Sequence, residues 1–166
     1  MRTLVYDPTQ VEISLAGLYR VEGFADGTFV EIIKNAKPFQ YQTSMGDEVA
    51  RLFIKDSTYT INITLAQSSL SNNILSALHA IDLATMVAKF PILIQDKSGT
   101  TKFFSTNAWV ESYPNAQFGK SVETRTWTIQ CSNGVYSLGG NDQGTTAMIA
   151  SLAALAPAVS NILGGP

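Results

Sequence analysis

Only one pair of residues in this chain has the types and spacing of an acid–base couple. His79 is the single histidine and lies in a stretch of helical periodicity, with Asp82 following at position i+3. On a helix that spacing would let the carboxylate orient the imidazole. Nucleophilic catalysis also requires a nucleophile beside such a base, and the sequence places none there. A lone histidine on a helix is more often a packed or surface residue, so we predict no catalytic residues and no enzyme activity.

The cysteine and glycine residues do not indicate a metal or cofactor site either. Cys131 is the single cysteine, so an intramolecular disulfide is impossible, and its place at the end of an alternating strand favours a small buried side chain. A zinc site would need further cysteine or histidine ligands. The Gly139–Gly140 pair precedes Asn141 and predicts a turn, without the lysine of a phosphate-binding loop. We expect no cofactor and no metal; the adjacent acids Asp47 and Glu48 leave divalent-ion binding in an oligomer open.

Charged residues are scarce in this chain. It has 11 Lys and Arg and 13 Asp and Glu in 166 residues, or 14%, against about 25% in ordinary globular domains. The net charge of −2 and the scattered basic residues exclude a surface that grips nucleic acid through clustered cations. Strands with one apolar face and one uncharged polar face are suited to lying against another protein, so composition favours assembly over catalysis.

The elements that hold these residues follow from periodicity and turn signals. Alternation of apolar and polar residues predicts roughly nine short strands, with turns at Asp26–Gly27, Asp56–Ser57, Ser98–Gly99 and Asn133–Gly134. Residues 34–47 are predicted to be a loop that packs on a neighbour. Apolar residues from Leu70 to Met86 recur at helical spacing, with Ser69 or Ser71 as N-cap and Phe90–Pro91 as the end of the helix. The predicted fold is mainly β, of the α+β class: an antiparallel β-sandwich or barrel with one central helix and a C-terminal apolar helical segment. The predicted strands span residues 11–15, 18–24, 28–33, 49–54, 58–65, 92–95, 101–104, 108–113, 125–131 and 135–138.

Many short motifs occur in one order from about Val11 to Asn141. They are Asp26-Gly27-x-Phe29, Ile61-x-Ile63-Thr64-Leu65-x-Gln67-Ser68-Ser69-x-Ser71-Asn72, Leu75-Ser76-Ala77-Leu78, Phe90-Pro91, Asp96-x-Ser98-Gly99-Thr100-Thr101, Ala108-Trp109-Val110, Phe118-Gly119-Lys120, Thr124-Arg125-x-Trp127 and Gly139-Gly140-Asn141. In this order the motifs resemble the tail tube proteins of contractile-tailed, myovirus-type bacteriophages. The resemblance implies a β-barrel-like protomer that closes into a hexameric ring, with rings stacked into a DNA conduit inside a contractile sheath. It implies sheath and baseplate or terminator proteins as partners, and DNA only as passing cargo.

Polar faces of two predicted strands are candidates for the lining of such a tube. Because alternate residues of a strand point to opposite faces, each set shares one face. An ordinary solvent-facing side of a sandwich remains the alternative, and a slip of one residue would exchange the faces. The candidate lumen-facing residues are Thr58, Thr60, Asn62, Thr64, Thr126, Thr128 and Gln130.

The chain divides into a tail-tube-like β domain at residues 1–141 and an apolar arm or helix at residues 142–166. The arm has apolar residues at helical spacing, but Pro157 interrupts it and no Lys or Arg flanks it. We therefore expect no membrane insertion, and we expect the arm to dock on its own barrel or on an adjacent subunit. The candidate inter-subunit residues are Met148, Ile149, Leu152, Leu155 and Val159.

Location and competing functions follow from the same observations. Residues 1–8 lack the apolar run of a signal peptide, so we expect synthesis and folding in a reducing cytoplasm. The resemblance implies assembly in the host cytoplasm and residence in the virion tail. The alternative to a tube subunit is a free-standing β-sandwich that binds a carbohydrate or a protein. An antiparallel-barrel enzyme is a third and remote alternative.

Overall fold

The structure is a computed structural model that describes residues 3–141. Nine β-strands and one α-helix lie within this range, which confirms the predicted class of a mainly antiparallel β protein with one helix. A short 3-10 helix at Pro8–Gln10 precedes them. The elements are β1 Val11–Leu15, β2 Tyr19–Arg20, β3 Val30–Lys34, β4 Phe39–Thr43, β5 Val49–Phe53, β6 Tyr59–Ala66, α1 Ser71–Thr85, β7 Phe90–Asp96, β8 Lys102–Ser112 and β9 Thr124–Ser137.

Seven strands form one antiparallel sheet in the order β2-β1-β7-β8-β9-β6-β3. The segment after β2 joins the two sides of this sheet. The Val21 N–H donates to the Ile13 carbonyl (2.9 Å), whereas the Ala66 N–H donates to the Gly23 carbonyl (2.9 Å), and Phe24 forms a bridge with Leu65 on β6. Because the same segment bonds to β1 and to β6, the sheet closes into a barrel.

The barrel interior is filled by the alternate residues of its strands. On β6 every second residue is buried, from Tyr59 to Leu65, and on β9 the same alternation buries Trp127, Ile129 and Cys131. These side chains form a single core cluster with residues of β1, β7 and β8. These two strands could be predicted from the sequence, because an alternation with a period of two fixes which face of a strand is buried.

Helix α1 is attached to the barrel by one buried leucine and one buried amide. Leu75 is fully buried in the core cluster. Asn72, in the first turn, accepts a hydrogen bond from Trp127 Nε1 through Oδ1 (2.9 Å), while its Nδ2 donates to the Ala66 carbonyl (2.9 Å). Burying an indole N–H requires such an acceptor, so this amide fixes both the start of the helix and the tryptophan.

The predicted turn at Asn133–Gly134 is wrong, because β9 runs through it as one strand to Ser137. Ala108 pairs with Cys131 and Ser105 with Gly134, so the same register continues on both sides of Asn133. Asn133 has the positive φ (55°) that the hairpin prediction requires, but the strand continues through it.

Gly134, within β9, lies against the ring of Tyr59. A Cβ at this position would meet Tyr59 Cδ2 at 2.4 Å. We therefore expect Gly134→Ala to lower the free energy of unfolding by about 2 kcal/mol, as overpacked cores do. Urea unfolding followed by tryptophan fluorescence measures this change. Gly140→Ala is the matched control, because nothing lies within 4 Å of its added Cβ. Equal unfolding midpoints for the two variants would contradict the close packing.

Three other predicted boundaries are wrong. The strands on either side of Asp26–Gly27 do not form a hairpin, because both pair with β6: Phe24 with Leu65 and Val30 with Ile63. Residues 26–28 instead loop out between two segments that bond to the same edge. Residues 34–47, predicted to be a loop, contain strand β4. The predicted strands 101–104 and 108–113 are joined as β8.

The end of the helix also differs from the prediction. α1 stops at Thr85, five residues before Phe90, and Met86 caps it in the left-handed conformation (φ 57°). Asp82 stabilises this end by accepting a hydrogen bond from the Ala88 N–H (3.2 Å). At the start, Leu70 is the N-cap and makes no side-chain cap bond. Ser69 contributes nearby, because its Oγ accepts from the Ser71 N–H (3.2 Å).

None of the helices in residues 3–141 has the length and apolar character needed to cross a membrane. The predicted C-terminal segment, with Met148, Ile149, Leu152, Leu155 and Val159, lies outside the described residues.

Candidate functional site

Six of the seven candidate polar residues form one continuous ladder on the outer face of the barrel. The register places Thr60 opposite Gln130, Asn62 opposite Thr128 and Thr64 opposite Thr126. Each pair is hydrogen-bonded: the Thr60 hydroxyl donates to Gln130 Oε1 (3.1 Å), the Thr128 hydroxyl donates to Asn62 Oδ1 (3.1 Å), and the two threonine hydroxyls lie 3.1 Å apart. We call these six residues the polar ladder. Cross-strand pairs of this kind stabilise a sheet by a few tenths to about 1 kcal/mol each.

The seventh candidate, Thr58, lies just before β6 at the end of the polar ladder. Its hydroxyl accepts a hydrogen bond from Asn35 Nδ2 (3.2 Å), and its N–H donates to Asp56 Oδ1 (2.7 Å). Asn35 also accepts from the Thr60 hydroxyl through Oδ1, so Thr58 joins the polar ladder through this amide. The structure therefore brings all seven candidate residues together, and their position towards a lumen stays a prediction.

The strands on either side of the polar ladder add acidic side chains to the same face. Glu31 on β3 lies opposite Asn62, and Glu111 on β8 accepts from Gln130 Nε2 through Oε2 (3.2 Å). Trp109 lies opposite Gln130, and Ile33 lies opposite Thr60. The charged residues that flank the polar ladder are both glutamates, whereas Lys102 lies farther along β8 on the outer face. The polar ladder and its flanks are therefore neutral to acidic.

The β4–β5 hairpin is a second candidate interaction site, of which the sequence analysis predicted β5 but placed β4 in a loop. All five residues of each strand are exposed, and the two strands pair only with each other among the described elements. One face of the hairpin is largely apolar. The signal was available as the alternation Phe39-Gln40-Tyr41-Gln42, but the neighbouring Pro38 and the polar residues favoured a loop.

Register and ring contacts define the apolar face of this hairpin. Phe39 is opposite Phe53 and Tyr41 is opposite Arg51. The two phenylalanine rings lie 5.4 Å apart, and the Arg51 guanidinium lies 3.9 Å from the centroid of Phe39. Because neighbouring residues of a strand alternate between faces, Gln40 and Gln42 lie on the other side. Tyr41 keeps 78% of its surface exposed.

The His79–Asp82 pair does not form a catalytic couple. His79 is buried and packs edge-on against Tyr113, with ring centroids 4.5 Å apart. Its Nδ1 has no hydrogen-bond partner, and Asp82 instead caps the end of α1 through the Ala88 N–H. The possible orientation of His79 by Asp82 is therefore not observed, and the histidine is a packed side chain of the helix.

Cys131 is buried in the core, as the sequence indicates. Burial raises the pKa of its thiol from 9.0 to about 12, partly offset by a hydrogen bond to Ser105. Because the thiolate is the reactive form, this shift lowers the reactive fraction below pH 9 by about 10³-fold. A raised folded pKa leaves stability unaffected below the unfolded pKa and reduces it as the pH rises above that value.

We therefore expect Cys131 to resist alkylation by iodoacetamide at pH 8 in the folded protein, and to react at an ordinary thiol rate in denaturing urea. Mass spectrometry of the intact chain measures both rates. A native rate within about tenfold of the denatured rate would contradict the burial of the thiol.

The remaining candidate ligands are dispersed. Asp47 and Glu48 are exposed at the tip of the β4–β5 hairpin, where Asp47 takes a positive φ of 59°. No group of three or more His, Cys, Asp or Glu side chains that could hold a metal ion occurs within residues 3–141.

Solved structures with this fold come from contractile injection systems. A chain of the anti-feeding prophage cap, described as the tube terminating cap, matches with a TM-score of 0.57 at 11% identity, over 82% of this chain and 93% of that chain. A chain of the sheath-tube complex of an extracellular contractile injection system matches with a TM-score of 0.52 at 12% identity, over 80% and 91%. The sheath/tube terminator of that system gives 0.53 at 10% identity, over 82% and 99%. The closed barrel with its attached helix is thus the fold of the contractile tube-type proteins.

Sequence comparison identifies the family within this fold class. Structural protein ORF10 of Pseudomonas phage KPP10 is 32% identical over 161 residues, which cover 93% of this chain and 93% of that protein. The chain therefore belongs to this family of phage structural proteins. No family model matches the chain.

Proposed function

We propose that the chain is a tail tube subunit of a contractile-tailed phage, whose copies form hexameric rings that stack into the DNA conduit inside a contractile sheath. The single observation that carries this proposal is the exposed β4–β5 hairpin. An isolated two-stranded hairpin is marginally stable in water, and this one exposes aromatic side chains such as Tyr41 and Phe53. A neighbouring subunit that covers its apolar face would stabilise it.

An open sheet edge supports closure into a ring. Within residues 3–141, β3 ends the seven-stranded sheet and pairs with β6 alone. A free edge exposes unpaired N–H and C=O groups that favour pairing with another chain, and cyclic assembly satisfies every such edge at once. In the proposed ring, the edge of β3 lies at the joint between neighbouring subunits.

The polar ladder supports the role of a conduit. DNA passes a wall easily when the wall does not bind it, and a neutral to acidic face offers phosphates no cation. We place the polar ladder, with Thr58, Glu31 and Glu111, towards the lumen. DNA then passes through the tube without being bound, and the protein acts through the shape of the tube that its copies form.

The partners in this proposal are other copies of the chain, the tail sheath, and baseplate or terminator proteins. Assembly takes place in the host cytoplasm before DNA ejection. A terminator ring at the end of the tube is the second candidate function. The likeness to a tube terminating cap and to a sheath/tube terminator favours this candidate.

Negative-stain electron microscopy of the purified protein tests these functions. The sample is imaged over a series of protein concentrations at moderate salt, because dilution suppresses ring formation. Long tubes with a central channel support the tube subunit, and single rings that do not stack support the terminator. Dispersed single molecules at the highest concentration would overturn both and favour a free-standing binding module.

A further inference from the structure

A groove on the outer face of the barrel is lined by apolar side chains from three adjacent strands. Leu93 on β7 lies opposite Phe104 on β8, and Phe104 lies opposite Val135 on β9. These residues, with Lys102 and Ser137, line a groove of about 570 Å³. Phe104 is 39% exposed and Val135 is 69% exposed. A row of apolar side chains on the outer face of a sheet indicates a surface that another segment covers.

The described chain ends beside this groove. The Gly139 carbonyl accepts a hydrogen bond from the Thr101 hydroxyl (3.0 Å), and the Gly140 carbonyl accepts from the Thr100 N–H (3.0 Å). Asn141 Nδ2 donates to Ser98 Oγ (3.3 Å). These bonds hold residues 139–141 against the β7–β8 turn, and Lys102, the residue after Thr101, lines the groove.

The segment that follows has the length and composition to fill the groove. Residues 143–166 contain no charged side chain, and Met148, Leu152 and Leu155 recur at helical spacing. On a helix, the stripe from Met148 to Leu155 would be about 10 Å long. A row of side chains across three neighbouring strands is also about 10 Å wide, so the two lengths match. Residues 142–147 can span about 20 Å when extended, enough to reach from Asn141 to Val135.

We propose that residues 145–163 dock on the barrel of their own chain, with the stripe Met148, Leu152 and Leu155 covering Leu93, Phe104 and Val135. This assignment does not depend on ring formation, because both surfaces belong to one subunit. In this proposal, the apolar arm expected from the sequence covers the outer face of β7, β8 and β9.

Hydrogen exchange of the full chain, kept dilute and unassembled, tests the docking. Amides of residues 145–163 should exchange at least about tenfold more slowly than in an unstructured peptide. Val135→Asp should remove most of this protection, because a buried charge disfavours the docked state, and Leu152→Asp should do the same from the other side. Val122→Asp is the matched control, since Val122 is also an exposed valine, at 69%, and it should leave the protection unchanged.

A cysteine pair distinguishes the subunit's own segment from a neighbour's. The double variant Val135→Cys and Leu152→Cys is oxidised in a mixture of isotope-labelled and unlabelled chains. Disulfides within one chain support the proposal. Disulfides only between chains would overturn it and assign the groove to an adjacent subunit. Unprotected amides in the unaltered chain, or protection that survives Val135→Asp, would overturn it as well. The result of this experiment does not depend on whether microscopy shows tubes, so the docking and the proposed function are tested separately.

Discussion

Lysine placed at Thr60 and Thr126 should make an assembled tube retain DNA that the unaltered tube releases. Both residues belong to the polar ladder and lie on neighbouring strands without being directly opposite, since Thr60 pairs with Gln130. Their like charges therefore avoid the destabilising cross-strand position. Each ring would repeat the two cations in every copy. Binding through several phosphate contacts should be strong at 50 mM salt and about 10³-fold or more weaker at 200 mM.

Filter binding of labelled double-stranded DNA to assembled tubes, across a salt series, measures this effect. The control is Thr60→Gln with Thr126→Gln, which keeps polar side chains of similar length without charge. The variant should also lower infectivity, because DNA held by the wall leaves the tube slowly. If the lysine tubes bind DNA no better than the glutamine tubes, the polar ladder does not face the lumen.

The sequence alone could predict which residues form the two polar faces of the ladder, because the alternation within each strand is a local pattern. Alternation from Tyr59 to Leu65 fixes the inner and outer faces of β6, and the same pattern fixes β9 from Thr126 to Cys131. What the sequence could not provide is the pairing of these two strands, in which the partners Thr64 and Thr126 are 62 residues apart along the chain. Only the closed barrel brings them together.

The errors at Asn133–Gly134 and Asp26–Gly27 have a common physical cause. Both dipeptides supply a positive φ, at Asn133 (55°) and at Gly27 (89°), as the hairpin prediction requires. A positive φ also occurs within a continuous strand, as at Asn133, and in a looped-out segment, as at Gly27. The choice is made by distant partners: the Gly134 N–H donates to the Ser57 carbonyl (3.0 Å), and β6 bonds both Phe24 and Val30. No local pattern contains that information.

The candidate interaction surfaces were predictable only in part. The hairpin and the groove are interaction surfaces because their apolar side chains are exposed. For a strand with one apolar face, the sequence does not show whether that face is exposed or buried. Phe104 and Val135 carry the alternation of ordinary strand residues, and nothing in their neighbours marks them as exposed. The composition nevertheless indicated the outcome, because a chain with 14% charged residues leaves uncharged surface for contact with other subunits.

Removing the aromatic side chains from the apolar face of the β4–β5 hairpin should abolish tube formation while leaving the subunit folded. Tyr41 and Phe53 are 78% and 66% exposed in the single subunit, so Tyr41→Ser and Phe53→Ser remove little packing within the fold. Buried aromatic anchors of interfaces contribute about 2 kcal/mol or more each. Each substitution should raise the concentration needed for assembly by about 30-fold, and both together by about 10³-fold.

Sedimentation of assembled tubes against subunit concentration measures this shift, and thermal unfolding of the dilute subunit checks that the barrel is intact. Gln40→Ser with Gln42→Ser is the matched control, because these residues lie on the other face of the same strand and should leave assembly nearly unchanged. Equal losses in the two double variants would indicate that the hairpin contributes through its backbone edge. Unchanged assembly in the aromatic variant would contradict its role as a contact between subunits. The comparison thus decides whether the exposed apolar face, the feature on which the proposed function rests, is the surface that joins the copies.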